Sequence, residues 1–132
     1  MLNDDRMPTL ISAESGLLRD SILTILESFP FINVVGAAEG KFNTLDAVKQ
    51  CNPRLVLVDC STCNAWLEII QAIRGRQTEI KWVAITDTIQ TSRQALKNGA
   101  DSALIKGFTS QELQMALQRL IFNKPVGDSL PR

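Results

Sequence analysis

Histidine and tyrosine are both missing from this chain of 132 residues. Without histidine there is no Ser-His-Asp or Cys-His nucleophile pair and no histidine-containing zinc site. Neither sign of charge is in excess. Fourteen basic residues meet fourteen acidic ones and no basic cluster stands out, which argues against nucleic acid as a partner of this domain itself. No apolar run approaches the ~20 residues of a membrane span. The opening, MLNDDRMPTL, lacks the basic-then-apolar pattern of a signal peptide. Three cysteines are an odd number and no disulfide framework, so the expected compartment is the reducing cytoplasm. No glycine-rich turn follows the first strand-like run, which speaks against a dinucleotide site. Chemistry here must come from carboxylates, hydroxyls, lysines or thiols.

What is present is a regular alternation of strand-like and helix-like stretches, five of each, in a length typical of one compact domain. TLISA, residues 9–13, reads as a first strand, and Ser15 is placed to cap a helix running to about Ser28, with Leu18, Ile22, Leu26 and Phe29 at helical spacing. INVVGA, residues 32–37, reads as a second strand, with Asn43 as cap of a short helix carrying Leu45 and Val48. LVLVD, residues 55–59, has no polar alternation before its end, as expected of a strand buried on both faces. A helix with Leu67, Ile70 and Ile73 follows. KWVAIT, residues 81–86, is the fourth strand, followed by a helix near 90–98 that Gly99 stops. SALIK, residues 102–106, is the fifth, and Thr109 with Glu112 signals a capping box for a helix bearing Leu113, Ala116, Leu117 and Leu120. The spacing predicts an α/β fold: a (βα)5 doubly wound, flavodoxin-like parallel sheet of five strands in the order 2-1-3-4-5, covered by helices on both faces. The segment NKPVGDSLPR, residues 123–132, reads as a linker-like tail.

Parallel α/β sheets bind ligands outside the carboxyl ends of their strands, at the switch point of strand order. Glu14 follows strand one, Asp59 ends strand three, Thr86 ends strand four and Lys106 ends strand five. The order 2-1-3-4-5 sets Glu14 beside Asp59 and puts Thr86 and Lys106 on the other side of it. Each residue alone has an ordinary explanation as a helix-cap neighbour, a turn residue or a solvated charge. Together they suit transfer of a phosphoryl group to a carboxylate. Asp59 would be the nucleophile, and two converging carboxylates would hold Mg²⁺. A lysine supplies a charge worth ~4 kcal/mol at ~4 Å and an effective dielectric of ~20. The Thr86 hydroxyl would donate to a phosphoryl oxygen.

At these residues the sequence resembles the receiver domains of response regulators, the CheY-like family. The likeness is carried by LISAESGLLRDSI, VVGAAEG, NPRLVLVDC, VAIT and NGADSALIK, and is closest in wording to receivers of the NarL/LuxR class of transcription regulators. It implies residues 1–122 as one receiver domain and a tail, 123–132, from which an output domain is absent or removed. It further implies Asp59 as phosphoacceptor with Thr86 and Lys106 assisting. Mg²⁺ would bind weakly on Glu14, Asp59 and the backbone carbonyl of Ser61. The implied setting is a bacterial two-component phosphorelay in the cytoplasm, with a sensor histidine kinase as partner. The expected output is transcription regulation through a helix 4–strand 5–helix 5 face, roughly residues 90–121, which also serves a possible homodimer. Such a domain is a phosphoprotein rather than an enzyme, at most assisting its own phosphorylation and dephosphorylation, and touches neither membrane nor nucleic acid itself.

The sequence also departs from the family's pattern. Receivers carry two consecutive acids after strand one, whereas this chain has Ala13-Glu14; the stretch CSTCNAW, residues 60–66, replaces a Met-Pro-Gly-rich loop and is shorter. The loop after Thr86 is also shortened. Ala103 stands where an aromatic switch residue is common, and Gly107 where many receivers have proline. These features define the alternative, a degenerate pseudo-receiver acting as a phosphorylation-independent interaction module. A redox role for Cys60-Ser61-Thr62-Cys63 is the weaker rival, because a lone CxxC has no partner pair for zinc. Cys60 and Cys51 read as packing residues, and Trp66 and Trp82 as peripheral core.

Overall fold

A computed structural model of the chain describes residues 5–61, 65–76 and 79–122. Five strands and five helices alternate: β1 (Met7–Ser12), α1 (Leu17–Glu27), β2 (Ile32–Ala38), α2 (Lys41–Cys51), β3 (Leu55–Asp59), α3 (Trp66–Arg76), β4 (Lys81–Thr86), α4 (Ile89–Lys97), β5 (Ser102–Ile105) and α5 (Ser110–Phe122). All strand pairs are parallel and the sheet order is β2-β1-β3-β4-β5, as expected. The expected tail and Cys63 lie outside the described residues.

The continuous apolar run of β3 is explained by its place at the centre of the sheet, where every residue is buried. Its side chains alternate between two cores. Leu55 and Leu57 pack with Ile22 and Leu26 of α1 and with Leu113 and Leu117 of α5. Val56 and Val58 pack on the other face with Val48, Ile70, Ile73 and Ala95 of α2, α3 and α4. Truncating any one of these buried leucines or isoleucines to alanine should destabilise the fold by about 2–5 kcal/mol. Trp82 and Trp66 belong to the second core, with ring centroids 6.2 Å apart.

The helix boundaries hold two corrections. Neither Ser15 nor Asn43 caps a helix. The N-caps of α1 and α2 are Gly16 and Gly40, without a side-chain bond, and the Asn43 amide instead donates to the Glu39 carbonyl. Gly40, at φ 86°, takes a turn that side chains rarely adopt, so the chain can leave β2 and enter α2 without a polar cap. The Thr109–Glu112 capping box is present in both directions: the Thr109 N–H donates to Glu112 Oε1 at 2.8 Å, and the Glu112 N–H to Thr109 Oγ1 at 3.1 Å. Gly99, at φ 97°, ends α4 as expected, with the Ala100 N–H donating to the Ala95 carbonyl and the Gly99 N–H to Leu96.

Candidate functional site

Asp59 is the last residue of β3 and is 6% exposed. Its Oδ1 accepts from the Ser61 N–H at 2.9 Å and from the Ser61 hydroxyl at 2.6 Å. Ser61 therefore meets Asp59 through its two donors, which stiffens the turn after β3. Asp59 lines a pocket of about 220 Å³ together with Glu14 and Glu39, over an apolar wall of Ala13, Trp66 and Ile69. The expected meeting of Glu14 with Asp59 is thus present, in the crevice where the strand order reverses.

Glu39 was not expected there. Between Thr9 and Leu10 the β1–β2 register slips by one residue of β2, so Leu10 faces Gly36. The Ala13 N–H then donates to the Ala38 carbonyl at 2.9 Å and keeps the two strand ends level. Glu14 and Glu39 leave the sheet side by side, and the Ser15 N–H donates to Glu39 Oε1 at 3.1 Å. The strand-end rule that picked out Glu14 finds Glu39 when applied to β2. Trp66, which forms part of the pocket wall, carries no such signal in the sequence.

The opposite half of the site has a different arrangement. Thr86 is fully buried and its Oγ1 lies 2.6 Å from the hydroxyl of Ser92, on α4. Lys106 follows β5, with its backbone N–H donating to the Thr86 carbonyl at 2.7 Å. Its side chain is exposed and lines a separate depression with Gly107, Phe108 and Glu112. Lys41 pairs with Glu68 at 3.4 Å, and Lys106 has no ion pair among the described residues. The structure therefore brings Glu14 and Asp59 into one pocket, while the side chains of Thr86 and Lys106 face elsewhere. Arg19 reaches the pocket lining, where its Nη1 donates to the Ala13 carbonyl at 3.3 Å.

Cys60 packs in the core, as expected, with its thiol toward the Val58 carbonyl. Burial pushes this thiol from its ordinary value of 9.0 up to about 12; the Asp59 charge pushes the same way and a backbone hydrogen bond at Ile85 opposes them. A protonated, buried thiol is a poor nucleophile. Cys51 is half-buried, and its thiol donates to the Val35 carbonyl at 3.4 Å.

No family model and no curated protein matches the sequence. Solved structures do match. The signal receiver domain of NarL from Mycobacterium tuberculosis is 22% identical with a TM-score of 0.79, over 91% of this chain and 99% of that one. The isolated receiver domain of RcsB from Salmonella enterica serovar Typhimurium, solved with the phosphomimetic BeF3⁻, is 17% identical with a TM-score of 0.79, over 92% of each chain. A two-component response regulator RcsB–DNA complex gives 17% identity and a TM-score of 0.77, over 93% of this chain and 66% of that longer one. The chain has the receiver fold.

Proposed function

We propose that this chain is a signalling receiver that accepts a phosphoryl group on Asp59 from a sensor histidine kinase and passes the change to a partner. The observation that carries the reading is the placement of Asp59, buried at the end of the central strand yet lining the acid pocket at the switch point. In the transfer an Asp59 carboxylate oxygen forms the O–P bond while the P–N bond to the donor imidazole breaks. The donor nitrogen keeps the electron pair. Little covalent chemistry falls to the protein beyond positioning and charge stabilisation.

The fold family implies a magnesium ion. The donors fit a hard cation, since Glu14 and Asp59 offer carboxylate oxygens to one pocket. With two carboxylates and one backbone carbonyl as its protein ligands, the site would hold the ion weakly. Glu14, Asp59 and the Ser61 carbonyl would hold the ion with waters. When bound, it would neutralise charge between acceptor and phosphoryl oxygens. Lys106 reaches the site only by swinging from its present place, and Thr86 only by redirecting its hydroxyl.

The output face we assign to α4, β5 and α5, where Ile89, Leu96, Ile105 and Met115 are exposed apolar side chains. Leu113 and Leu117 are fully buried, so the flank at Met115 rather than the helix's main apolar stripe is available for a homodimer or an output partner. Regulation of transcription would require an output domain beyond this unit. No described helix is long and apolar enough to cross a membrane; a cytoplasmic setting belongs to the receiver reading itself. A second reading, a phosphorylation-independent interaction module on the same fold, is favoured by Ala13 and by the outward course of Lys106.

Incubation with acetyl phosphate and Mg²⁺, followed by intact-mass and peptide analysis, tests the choice. The receiver reading expects one adduct, on Asp59, and none in Asp59→Asn. Folded protein that stays unmodified under forcing conditions supports the interaction module instead.

A further inference from the structure

Resting on the reading of Asp59 as phosphoacceptor, we propose that Ser92 is a positioning residue. It donates its proton to Thr86 and so frees the Thr86 proton for an oxyanion carried by Asp59. The carrying observation is the 2.6 Å contact between the Thr86 and Ser92 hydroxyls, both side chains being buried. A hydroxyl has one proton and two lone-pair sites, and buried hydroxyls use their protons.

For the Ser92 hydroxyl, Thr86 is the one hydrogen-bond partner among the described residues. A serine inside a helix often donates back to the carbonyl four residues earlier. Here the Thr88 carbonyl takes the Ser92 N–H at 3.1 Å and makes no bond to the Ser92 side chain. On this accounting we assign Ser92 as the donor and Thr86 as the acceptor. The Thr86 proton is left with two long contacts, 3.4 Å to the Thr88 carbonyl and 3.5 Å to the Leu104 carbonyl. Both lie beyond the usual range for an O–H donor.

A donor so poorly served will turn to a charged acceptor brought within reach, because charge-assisted bonds are roughly twice as strong as neutral ones. Asp59 pairs with Ile85 in the β3–β4 register, which sets Thr86 one residue beyond it on the neighbouring strand, ~4.8 Å away across the sheet. A phosphoryl oxygen on Asp59 would complete a chain from Ser92 through Thr86 to the oxyanion, each bond polarising the next. No proton changes owner in this chain. Ser92 belongs to α4, so the same bonds tie the charge state of Asp59 to that helix. The link does not need an aromatic residue on β5, where Ala103 stands.

The test compares adduct formation from acetyl phosphate and Mg²⁺ in the parent, Ser92→Ala, Ser92→Thr, Thr86→Ala and the Ser92→Ala/Thr86→Ala double variant, each checked for folding by circular dichroism. Ser92→Ala should slow the reaction roughly tenfold, about the upper worth of one neutral hydrogen bond. Ser92→Thr, which keeps the hydroxyl, should restore the parent rate to within about twofold. In the Thr86→Ala background, removing Ser92 should change nothing further. Equal rates for parent and Ser92→Ala, failure of Ser92→Thr to rescue, or the same slowing with and without Thr86 would overturn the role of Ser92 while leaving Asp59 as acceptor. A parent that forms no adduct removes the acceptor reading, and this inference with it.

Discussion

On the β2–β1–β3 side of the sheet's carboxyl edge, Glu14, Glu39 and Asp59 line one pocket, and backbone N–H groups fix the strand ends and the carboxylates of Glu39 and Asp59. The Ala13 N–H holds Ala38, the Ser15 N–H holds Glu39, and the Ser61 N–H holds Asp59. On the β4–β5 side, Thr86 is bonded to α4 and Lys106 stands exposed in another depression. The acidic half is assembled at rest, whereas the donor and cation of the other half must be brought in. Three carboxylates around one pocket repel one another. On the proposed reading a cation would relieve that repulsion, and the negative charge of a phosphoryl group arriving with it would give Thr86 and Lys106 an anion to turn to.

The largest effect should come from breaking the β4–β5 half. Lys106→Ala is expected to slow phosphorylation by acetyl phosphate about a hundredfold, the usual scale for losing one group that stabilises transition-state charge. A rate equal to the parent would mean that the lysine stays where it rests. Next, Ala13→Asp would sharpen the acidic half. One more short-range carboxylate should tighten Mg²⁺ binding by ~1–2 kcal/mol at a high effective dielectric. It should also lower folding stability slightly in metal-free buffer, through repulsion among the acids. Tryptophan emission is the natural readout, since Trp66 lines the pocket.

Glu39→Gln should have a smaller effect. The amide oxygen can still accept from the Ser15 N–H, so the variant isolates the charge, and Mg²⁺ binding should weaken by about two- to threefold. The smallest effect at neutral pH concerns Cys60, which directly follows the strand that both halves share. Its folded value of about 12 lies above the ordinary 9.0, so the folded state holds the proton more tightly. That contribution is complete below pH 9 and is lost as pH rises from 9 towards 12. Equilibrium unfolding should show this high-pH loss in the parent and lose part of it in Cys60→Ala. Alkylation of native Cys60 at pH 8 should be slow.

β3 and β4 were legible to the residue because apolar runs end there in a polar side chain, and the capping box of α5 was legible because it is a side-chain signal. The starts of α1 and α2 were not, since glycine caps leave no polar signature and the nearby Ser15 and Asn43 offered a plausible one. The pairing of Glu14 with Asp59 followed from strand order alone. Glu39 follows the end of β2, where the same strand-end rule points to it, but its standing level with Glu14 rests on a register slip that no residue pattern announces. The positions of Thr86 and Lys106 were legible, but the directions of their side chains were not. Those depend on Ser92, which arrives from another element, and on solvent, which holds a lysine as well as any carboxylate does.

Fluorine NMR of the protein with beryllium fluoride and Mg²⁺ reads the central claim most directly, because the signal comes from the phosphoryl mimic itself. With Asp59 as the acceptor, bound fluoride resonances should appear in the parent, disappear in Asp59→Asn and weaken in Lys106→Ala. A folded parent with only free-fluoride signals, or an Asp59→Asn variant with the same bound resonances, would contradict it.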